Sequence, residues 1–244
     1  MSELLDEINA CCKKLRLRRL TDHFSTISAD DPQQFLLELL QKEVAQREKL
    51  RIERAIKNAG FYSHKDFDSF SFDGITLPSQ LEPDQLKTLQ FIEDKQGIIA
   101  YGRVGTGKTH LAIALGINAC QKGYTVGFWR TAALVNRLRS EQKNGTLETF
   151  LKSLEKYDFV ILDEWGYVPL QQDGAKLMFQ VISLCYEKRS IMITTNLEFS
   201  KWVNIFYDEA MTTAMIDRLI HHSHLLIFDR ESYRGKHSLM QLTG

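Results

Sequence analysis

The sequence lacks several features that would assign it to a class at once. Its 244 residues carry 31 Lys+Arg and 31 Asp+Glu, so its formal net charge is zero. Zero net charge argues against a protein that binds polyanions over its whole surface, although it is compatible with local basic patches. The four cysteines form no C-x-x-C pair. Their spacing therefore indicates neither a zinc site nor a disulfide framework.

Long apolar runs are also missing from the sequence. No run approaches the roughly 18 residues of a membrane span, and the N-terminal residues show no signal-peptide core. Apolar residues still make up 43% of the chain, which is enough for a packed core. Together with the cysteine usage, these absences predict a reduced cytoplasmic protein without membrane contact.

One glycine-rich stretch carries a specific signal. Residues 102–109 read GRVGTGKT and match the P-loop pattern G-x-x-x-x-G-K-[ST] at every fixed position. An apolar run over 97–101 predicts a buried strand before the loop, and residues 110–120 predict a helix after it. Glycines let successive N–H groups surround a phosphate, and a helix start adds unpaired donors. The order of elements favours a nucleotide site over a chance glycine-rich turn.

Each part of this loop has a predicted role in binding ATP and Mg²⁺. The Lys108 side chain is expected to reach the β and γ phosphates, and the Thr109 hydroxyl to hold Mg²⁺. The other residues predicted to contact ATP in or next to the loop are Gly102, Val104, Gly105, Thr106, Gly107 and His110.

Two carboxylates follow a second apolar run. Residues 159–162 read FVIL and lead directly into Asp163 and Glu164. A buried strand would place both side chains at the carboxyl edge of a parallel sheet, where ligands bind. We expect Asp163 to hold Mg²⁺, directly or through water, and Glu164 to polarise a water for attack on the γ-phosphate. Two exposed acids at an ordinary strand end are the alternative, which the P-loop disfavours.

A polar residue follows the next predicted strand. That strand is expected over 190–195, and Asn196 comes directly after it. We expect its amide to orient the attacking water and to sense the γ-phosphate. A simple turn residue is the alternative, because asparagine suits turns.

Two arginines are candidate cations for phosphoryl transfer. Arg218 lies on the penultimate predicted helix and suits an arginine finger, although an arginine on a helix is usually a surface residue. Arg234 follows the last predicted strand. His221, His222 and His224 lie between them, but the sequence offers them no carboxylate partner and no H-x-x-x-H spacing. We therefore expect no metal site there.

Alternating strand and helix patterns from residue 96 onward predict an α/β fold, a parallel sheet between helices. Residues 1–65 predict an amphipathic helical domain, and residues 66–244 the nucleotide-binding domain. The stretch 61–95, which spans this boundary, reads as a linker, since Pro78 and Pro83 break its periodicity. Its aromatic residues either flank an adenine ring or pack as a strand edge on the core.

Two local basic sets are the candidates for DNA contact. They are the acid-free run of Lys13, Lys14, Arg16, Arg18 and Arg19, and the helix-borne Arg137, Arg139 and Lys143. Either set can contact phosphates or form a solvated helix face. One neutral subunit offers few such contacts, so we expect them to act in an ATP-dependent homo-oligomer, where repetition multiplies them.

Several stretches together resemble one known family. They read GKTHLAIALG over 107–116, LDEWGYVPL over 162–170, DRLIHH over 217–222 and ESYR over 231–234. In these stretches the chain resembles the IstB-like transposition helper ATPases of insertion sequences, of the AAA+ class beside DnaC-type helicase loaders. The second stretch is the most specific, being close to the family's LDELGYLPL. Trp165 departs from it, standing where Leu is usual.

The resemblance implies an AAA+ ATPase that binds DNA, assembles with ATP, and recruits and stimulates a partner transposase at a target. It also implies that Arg218 serves the nucleotide of a neighbouring subunit, and that no separate C-terminal lid domain is present. Two other functions stay open. One is a DnaC-like loader for a replicative helicase, and the other is a small-molecule P-loop kinase, for which the sequence shows no acceptor site.

Overall fold

The computed structural model describes residues 2–17, 19–28, 31–167, 170–206 and 208–233. The chain divides into two compact units, Met1–Arg54 and Ala55–Gly244. This division precedes the boundary predicted after residue 65, because Ala55, Ile56 and Phe61 pack against a core of the second unit.

The first unit is helical. It contains α1 (Ser2–Lys14), a 3₁₀ helix (Leu20–Thr26) and the part of α2 (Pro32–Ala59) that ends at Arg54. The Asp31 carboxylate accepts a hydrogen bond from the Gln34 N–H at 3.0 Å, and Pro32 occupies the first turn. An acidic cap followed by proline is a favoured way to begin a helix. Local sequence thus accounts for the start of α2.

The second unit is built on a sheet of six strands in the part of the chain that the structure describes. The strands are β1 (Ile75–Thr76), β2 (Gly97–Gly102), β3 (Val126–Arg130), β4 (Phe159–Trp165), β5 (Ser190–Thr195) and β6 (Ser223–Phe228). Their order is β1-β6-β2-β5-β4-β3, and only the short β1 pairs in an antiparallel sense. The predicted parallel sheet is confirmed, while β1 is an element that the sequence did not indicate.

Helices cover both faces of this sheet. They are α3 (Pro83–Thr88), α4 (Gln90–Glu93), α5 (Lys108–Gln121), α6 (Thr131–Lys143), α7 (Leu147–Leu154), α8 (Gln172–Cys185), α9 (Val203–Phe206) and α10 (Glu209–His221). Phe159 and Ile161 belong to one apolar core and Val160 and Leu162 to another. Successive strand residues point to opposite faces, so the two cores lie on opposite sides of the sheet. No described helix has the length and apolar composition that a membrane crossing requires.

The stretch predicted to be a linker is ordered instead. Pro83 begins α3, because the Glu82 and Gln85 side chains cap each other's backbone N–H groups. The rings of Phe67 and Phe72 stack with centroids 6.5 Å apart and pack against the core that contains Phe159. The core-packing interpretation of the aromatic residues therefore holds.

Candidate nucleotide-binding site

The predicted P-loop joins the end of β2 to the start of α5. Gly105 and Gly107 have φ angles of 82° and 96°, in the left-handed region that glycine adopts without strain. Lys108 is the first residue of α5. Its Nζ donates to the carbonyl oxygens of Gly102 at 2.6 Å and Arg103 at 2.7 Å. The sequence-predicted strand, glycine loop and helix are thus present, with the lysine held against the loop.

Two further residues of the loop region have different surroundings. Val104 is exposed, and Thr106 is buried with its hydroxyl donating to the Arg103 carbonyl at 2.7 Å. His110 faces the preceding segment, since its Nε2 lies 2.8 Å from the Asp66 carbonyl oxygen.

Asp163 lies at the point where three elements meet. The strand β5 separates the P-loop strand β2 from β4, which carries the acid. The Thr109 hydroxyl of α5 donates to Asp163 Oδ1 at 2.8 Å, and the Thr194 hydroxyl of β5 donates to the same oxygen. The tertiary fold therefore joins a P-loop residue to a strand-end acid, as expected.

The second carboxylate oxygen of Asp163 provides a test for Mg²⁺. Oδ2 is buried and has no hydrogen-bond partner among the described residues. A buried charged oxygen without a partner is unfavourable unless water or a cation meets it. Mg²⁺ prefers oxygen ligands, and the Thr109 hydroxyl lies beside the same carboxylate. Thr109 and Asp163 therefore fit this ion.

Glu164 faces a different environment from its neighbour because β4 is irregular there. The register with β5 shifts between Leu162 and Trp165, and Glu164 has a φ of 60°. A left-handed conformation in a non-glycine residue costs about 1–3 kcal/mol and is concentrated at functional sites. The Glu164 side chain is 44% exposed, whereas Asp163 and Trp165 are fully buried. The bulge thus buries one acid and presents the other to solvent.

Two residues that the sequence analysis did not assign to the site contact Glu164. The Thr194 hydroxyl accepts a hydrogen bond from the Glu164 N–H at 3.0 Å, which fixes the bulge. The Arg130 Nε lies 3.9 Å from a Glu164 carboxylate oxygen, and its guanidinium lies 4.3 Å from the ring centroid of Tyr62. No local motif marks Thr194 or Arg130, although both occur at strand ends next to predicted site residues.

Asn196 follows β5, the strand between the P-loop and the acid pair. Its predecessor Thr195 is in register with Tyr101 of β2 and with Trp165 of β4. The Asn196 Oδ1 is buried and lacks a hydrogen-bond partner within the described ranges. The amide therefore has an unused acceptor at the carboxyl edge of the sheet.

Arg218 lies at the opposite edge of the sheet from the P-loop. It lines a cleft with Gly97 and Ser223, the first residues of β2 and β6. Its guanidinium donates to the Ser183 hydroxyl and lies 4.9 Å from the ring centroid of Phe179. Six strand residues correspond to about 17 Å. One chain therefore does not bring its own Arg218 to its own P-loop.

The structure corrects the expectation that the histidines lack a carboxylate partner. Glu187 Oε1 lies 3.0 Å from His222 Nε2, and ligand atoms of Glu187, His221 and His222 all lie within 4.8 Å of one another. The sequence did not reveal this contact because Glu187 follows a different helix. The adjoining cleft contains Arg189 and Arg218, whose positive charge disfavours a divalent cation.

The predicted DNA contacts on α6 are partly engaged in ion pairs. Arg137 pairs with Glu141 at 2.6 Å. Arg139 donates two hydrogen bonds to Asp173, at 2.9 and 3.0 Å, and holds the pKa of that carboxyl below its ordinary value. Lys143 ends the helix and is exposed. DNA binding through Arg139 would have to compete with an existing bidentate pair.

The basic run of the first unit is exposed where the structure describes it. Its described residues are Lys13, Lys14, Arg16 and Arg19. Arg18 and the candidate cation Arg234 lie outside the described residues.

An arginine that the sequence analysis did not single out contacts the P-loop. Arg230 follows β6, and its Nε donates to the Thr106 carbonyl at 2.6 Å. Its guanidinium lies 5.2 Å from the ring centroid of Phe70. Burial lowers the pKa of Arg230 from its ordinary value, and the charge of Asp73 opposes that shift.

The strand order and the site define a P-loop protein of the AAA+ class, in which one strand separates the glycine loop from the acid pair. Solved structures support this fold. The chain is similar to a DnaC helicase loader, with a TM-score of 0.50 and 24% identity over 71% of this chain and 98% of that one. It is also similar to DnaI, with a TM-score of 0.52 and 15% identity over 70% and 90%.

Residues 10–241 match the family of IstB-like ATP binding proteins, and the chain belongs to that family. It is 34% identical over 242 residues to a protein of insertion sequence IS5376 from Geobacillus stearothermophilus, covering 97% of this chain and 96% of that one. It is 33% identical over 238 residues to a protein of IS21 from Pseudomonas aeruginosa, covering 95% and 90%. Both relatives are named as ATP-binding proteins. The resemblance seen in the sequence is confirmed.

Thr194→Val tests whether the β5 hydroxyl positions the acid pair. Valine keeps the shape but loses the contacts to Asp163 and Glu164, and hydrogen bonds to charged groups contribute about 1.5–3 kcal/mol. We expect phosphate release from ATP to fall by about tenfold or more. The matched control is Thr195→Val, because Thr195 is also buried with two hydrogen bonds, to Trp165 and Leu197. Equal losses in both variants would show general damage to β5 instead.

Proposed function

We propose that this protein is an ATPase that assembles on target DNA and recruits or stimulates a transposase during transposition of an insertion sequence. The proposal that the protein hydrolyses ATP rests on one observation: Thr109 is hydrogen-bonded to Asp163, beside the half-exposed Glu164. The transposition half is supported by the family and by relatives named after insertion sequences.

In the proposed reaction the P-loop binds the phosphates of ATP. Backbone N–H groups around Gly105 and Gly107 surround the α and β phosphates, and the start of α5 adds its unpaired donors. An incoming phosphate competes with the two carbonyls that now hold the Lys108 ammonium group. Thr109 and Asp163 would hold Mg²⁺, which, when bound, neutralises negative charge on the β and γ phosphates.

Hydrolysis then needs a base and an oriented water. The Glu164 carboxylate accepts a proton from the water while the water oxygen bonds to the γ-phosphorus. The bond from that phosphorus to the β–γ bridging oxygen breaks, giving ADP and phosphate. Asn196 orients the water by accepting its other hydrogen at the buried Oδ1. The bulge in β4 serves this chemistry, since it separates the base from the metal ligand.

Arg218 is proposed to complete the site of a neighbouring subunit. Its position at the amino edge of the sheet, about one strand length from the P-loop, supports its use by a second copy rather than by its own chain. The contacts with Ser183 and Phe179 hold its guanidinium until assembly. Arg234 remains a further candidate cation for this charge neutralisation.

DNA binding is proposed to depend on the assembly. One neutral chain offers the exposed basic residues of the first unit and of the end of α6, and the two α6 arginines are already paired. Repeating the remaining contacts in an oligomer raises the affinity without new chemistry. The contacts are expected to go to the phosphate backbone, which carries no sequence information.

A helicase loader is the second candidate function, favoured by the likeness of the fold to DnaC and DnaI. The two candidates share the ATPase site and differ in the protein that they bind, a replicative helicase or a transposase. The relatives from insertion sequences match nearly the whole chain at higher identity, which supports the transposase.

Lys108→Ala and Glu164→Gln separate ATP binding from ATP hydrolysis. Removing the cation that faces two phosphates should abolish ATP binding. Replacing the base should leave binding intact and lower phosphate release by about 100-fold or more, the range for lost general-base catalysis. The control is Glu148→Gln, which changes an exposed carboxylate of α7. Turnover near the wild-type rate in Glu164→Gln would show that the base is another group.

Mixing two inactive proteins tests whether Arg218 acts between subunits. A Lys108→Ala subunit still offers its arginine, and an Arg218→Ala subunit still offers its P-loop. Phosphate release should therefore recover in the mixture. A Lys108→Ala/Arg218→Ala double variant is the control, since it offers neither group and should restore nothing. Absence of recovery at every ratio, in mixtures shown by sedimentation to co-assemble, would contradict a finger in trans.

Sedimentation and DNA binding with ATP, with ADP and without nucleotide test the assembly. With the Glu164→Gln protein, which prevents turnover, we expect ATP alone to give a larger oligomer with higher DNA affinity. Backbone contacts release counterions, so this affinity should fall steeply with salt and depend little on DNA sequence. Equal mass and affinity in all three conditions would refute the nucleotide link, and salt-insensitive binding would refute the electrostatic contacts.

A further inference from the structure

We propose that Arg230 is a positioning residue of the P-loop, which holds the Thr106 carbonyl outward so that the next N–H group faces the nucleotide. This inference rests on the proposed binding of ATP by the P-loop. Neither the glycine-loop motif nor the acid pair includes Arg230, which lies 124 residues from Thr106 in sequence.

The guanidinium joins the P-loop to a second piece of backbone. Its Nε donates to the Thr106 carbonyl at 2.6 Å, while Nη1 donates to the carbonyls of Ser71 at 2.8 Å and Asp73 at 3.3 Å. The planar fork of an arginine fixes the directions of such bonds, which a lysine does not. The loop is thereby tied to the segment before β1.

Fixing one carbonyl has a direct consequence for the adjacent amide. The C=O of Thr106 and the N–H of Gly107 share one planar trans peptide and point in opposite directions. A bond that holds the oxygen on the outer side therefore aims the N–H into the loop. Gly107 has a φ of 96° and, as a glycine, gives this peptide little conformational restraint of its own. Arg230 supplies a restraint on this peptide from outside the loop.

The preceding peptide is held in the same way. The Tyr233 N–H donates to the Gly105 carbonyl at 3.0 Å, and a Cβ built on Gly105 would lie 2.1 Å from the Ser232 hydroxyl oxygen. A Cβ on Gly107 would lie 2.3 Å from Arg230 Nη2. The chain after β6 thus lies along the outer side of the loop and contacts two successive carbonyls.

The surroundings of Arg230 favour a firm contact. Its guanidinium lies 5.2 Å from the ring centroid of Phe70 and 5.7 Å from that of Phe228. Hydrogen bonds in a partly desolvated place are stronger than those in water. Two of its three nitrogens donate to backbone carbonyls, which makes Arg230 a support of the loop rather than a direct ligand of phosphate.

The test compares the affinities of Arg230→Gln and wild type for ADP and for a non-hydrolysable ATP analogue, by titration calorimetry. Both nucleotides place their β-phosphate against the loop amides, so we expect about tenfold weaker binding of both, with an unchanged ratio. Arg230→Lys should be intermediate, since its ammonium can still reach one carbonyl. The matched control is Arg189→Gln. Arg189 also donates to a backbone carbonyl, that of Glu155, but it lies at the amino edge of the sheet, away from the P-loop.

Each other outcome would overturn the proposal. A loss confined to the ATP analogue would show direct contact with the γ-phosphate. Unchanged affinities with a lower thermal midpoint would show a purely structural role. Should Arg230→Gln fail to fold, wild-type affinities in Arg230→Lys would equally refute the positioning role. If the wild-type protein binds neither nucleotide, the proposed function is overturned as well. If the wild-type protein binds both and the Arg230 variants have the same affinities, this inference alone is overturned.

Discussion

The buried carboxylate of Asp163 is the constraint around which the second unit is arranged. An ionised group without exposure is tolerated only where hydrogen bonds or a cation compensate for lost water. Thr109 and Thr194 supply such bonds from α5 and β5, and the Thr131 hydroxyl holds the Asp163 carbonyl at 2.9 Å. The observed strand order, with β5 between β2 and β4, brings these donors to one acid.

The carboxyl and amino edges of the sheet hold different functional groups. The carboxyl edge gathers the glycine loop, the acid pair and Asn196, and the chain after β6 supports the loop from outside. The amino edge holds Arg218 against Phe179, in a cleft that also contains Arg189. Groups about 17 Å apart across a rigid sheet cannot serve one phosphate. If both edges act in the same reaction, two chains must contribute, which links catalysis to assembly.

Local patterns predicted most of the elements of the second unit, because a buried parallel strand and a P-loop each require particular residues in a short stretch. They also indicated Lys108, Asp163 and Glu164. The stretch 61–95 was misjudged as a linker, since the capping of α3 depends on a reciprocal contact that proline content does not reveal. The carboxylate partner of His222 was missed for a related reason: Glu187 is distant in sequence and reaches it only through the packing of α8 and α10.

By itself the sequence determined the chemistry that the loop and the strand ends can offer, because glycine, lysine and carboxylate at fixed spacing leave few alternatives. Only the tertiary structure decided which groups meet. It placed Thr194 on Asp163, turned Glu164 outward through a bulge, and brought Arg230 to the Thr106 carbonyl. Such contacts join residues 31 and 124 positions apart, and they arise from strand order and backbone direction, which no local pattern encodes.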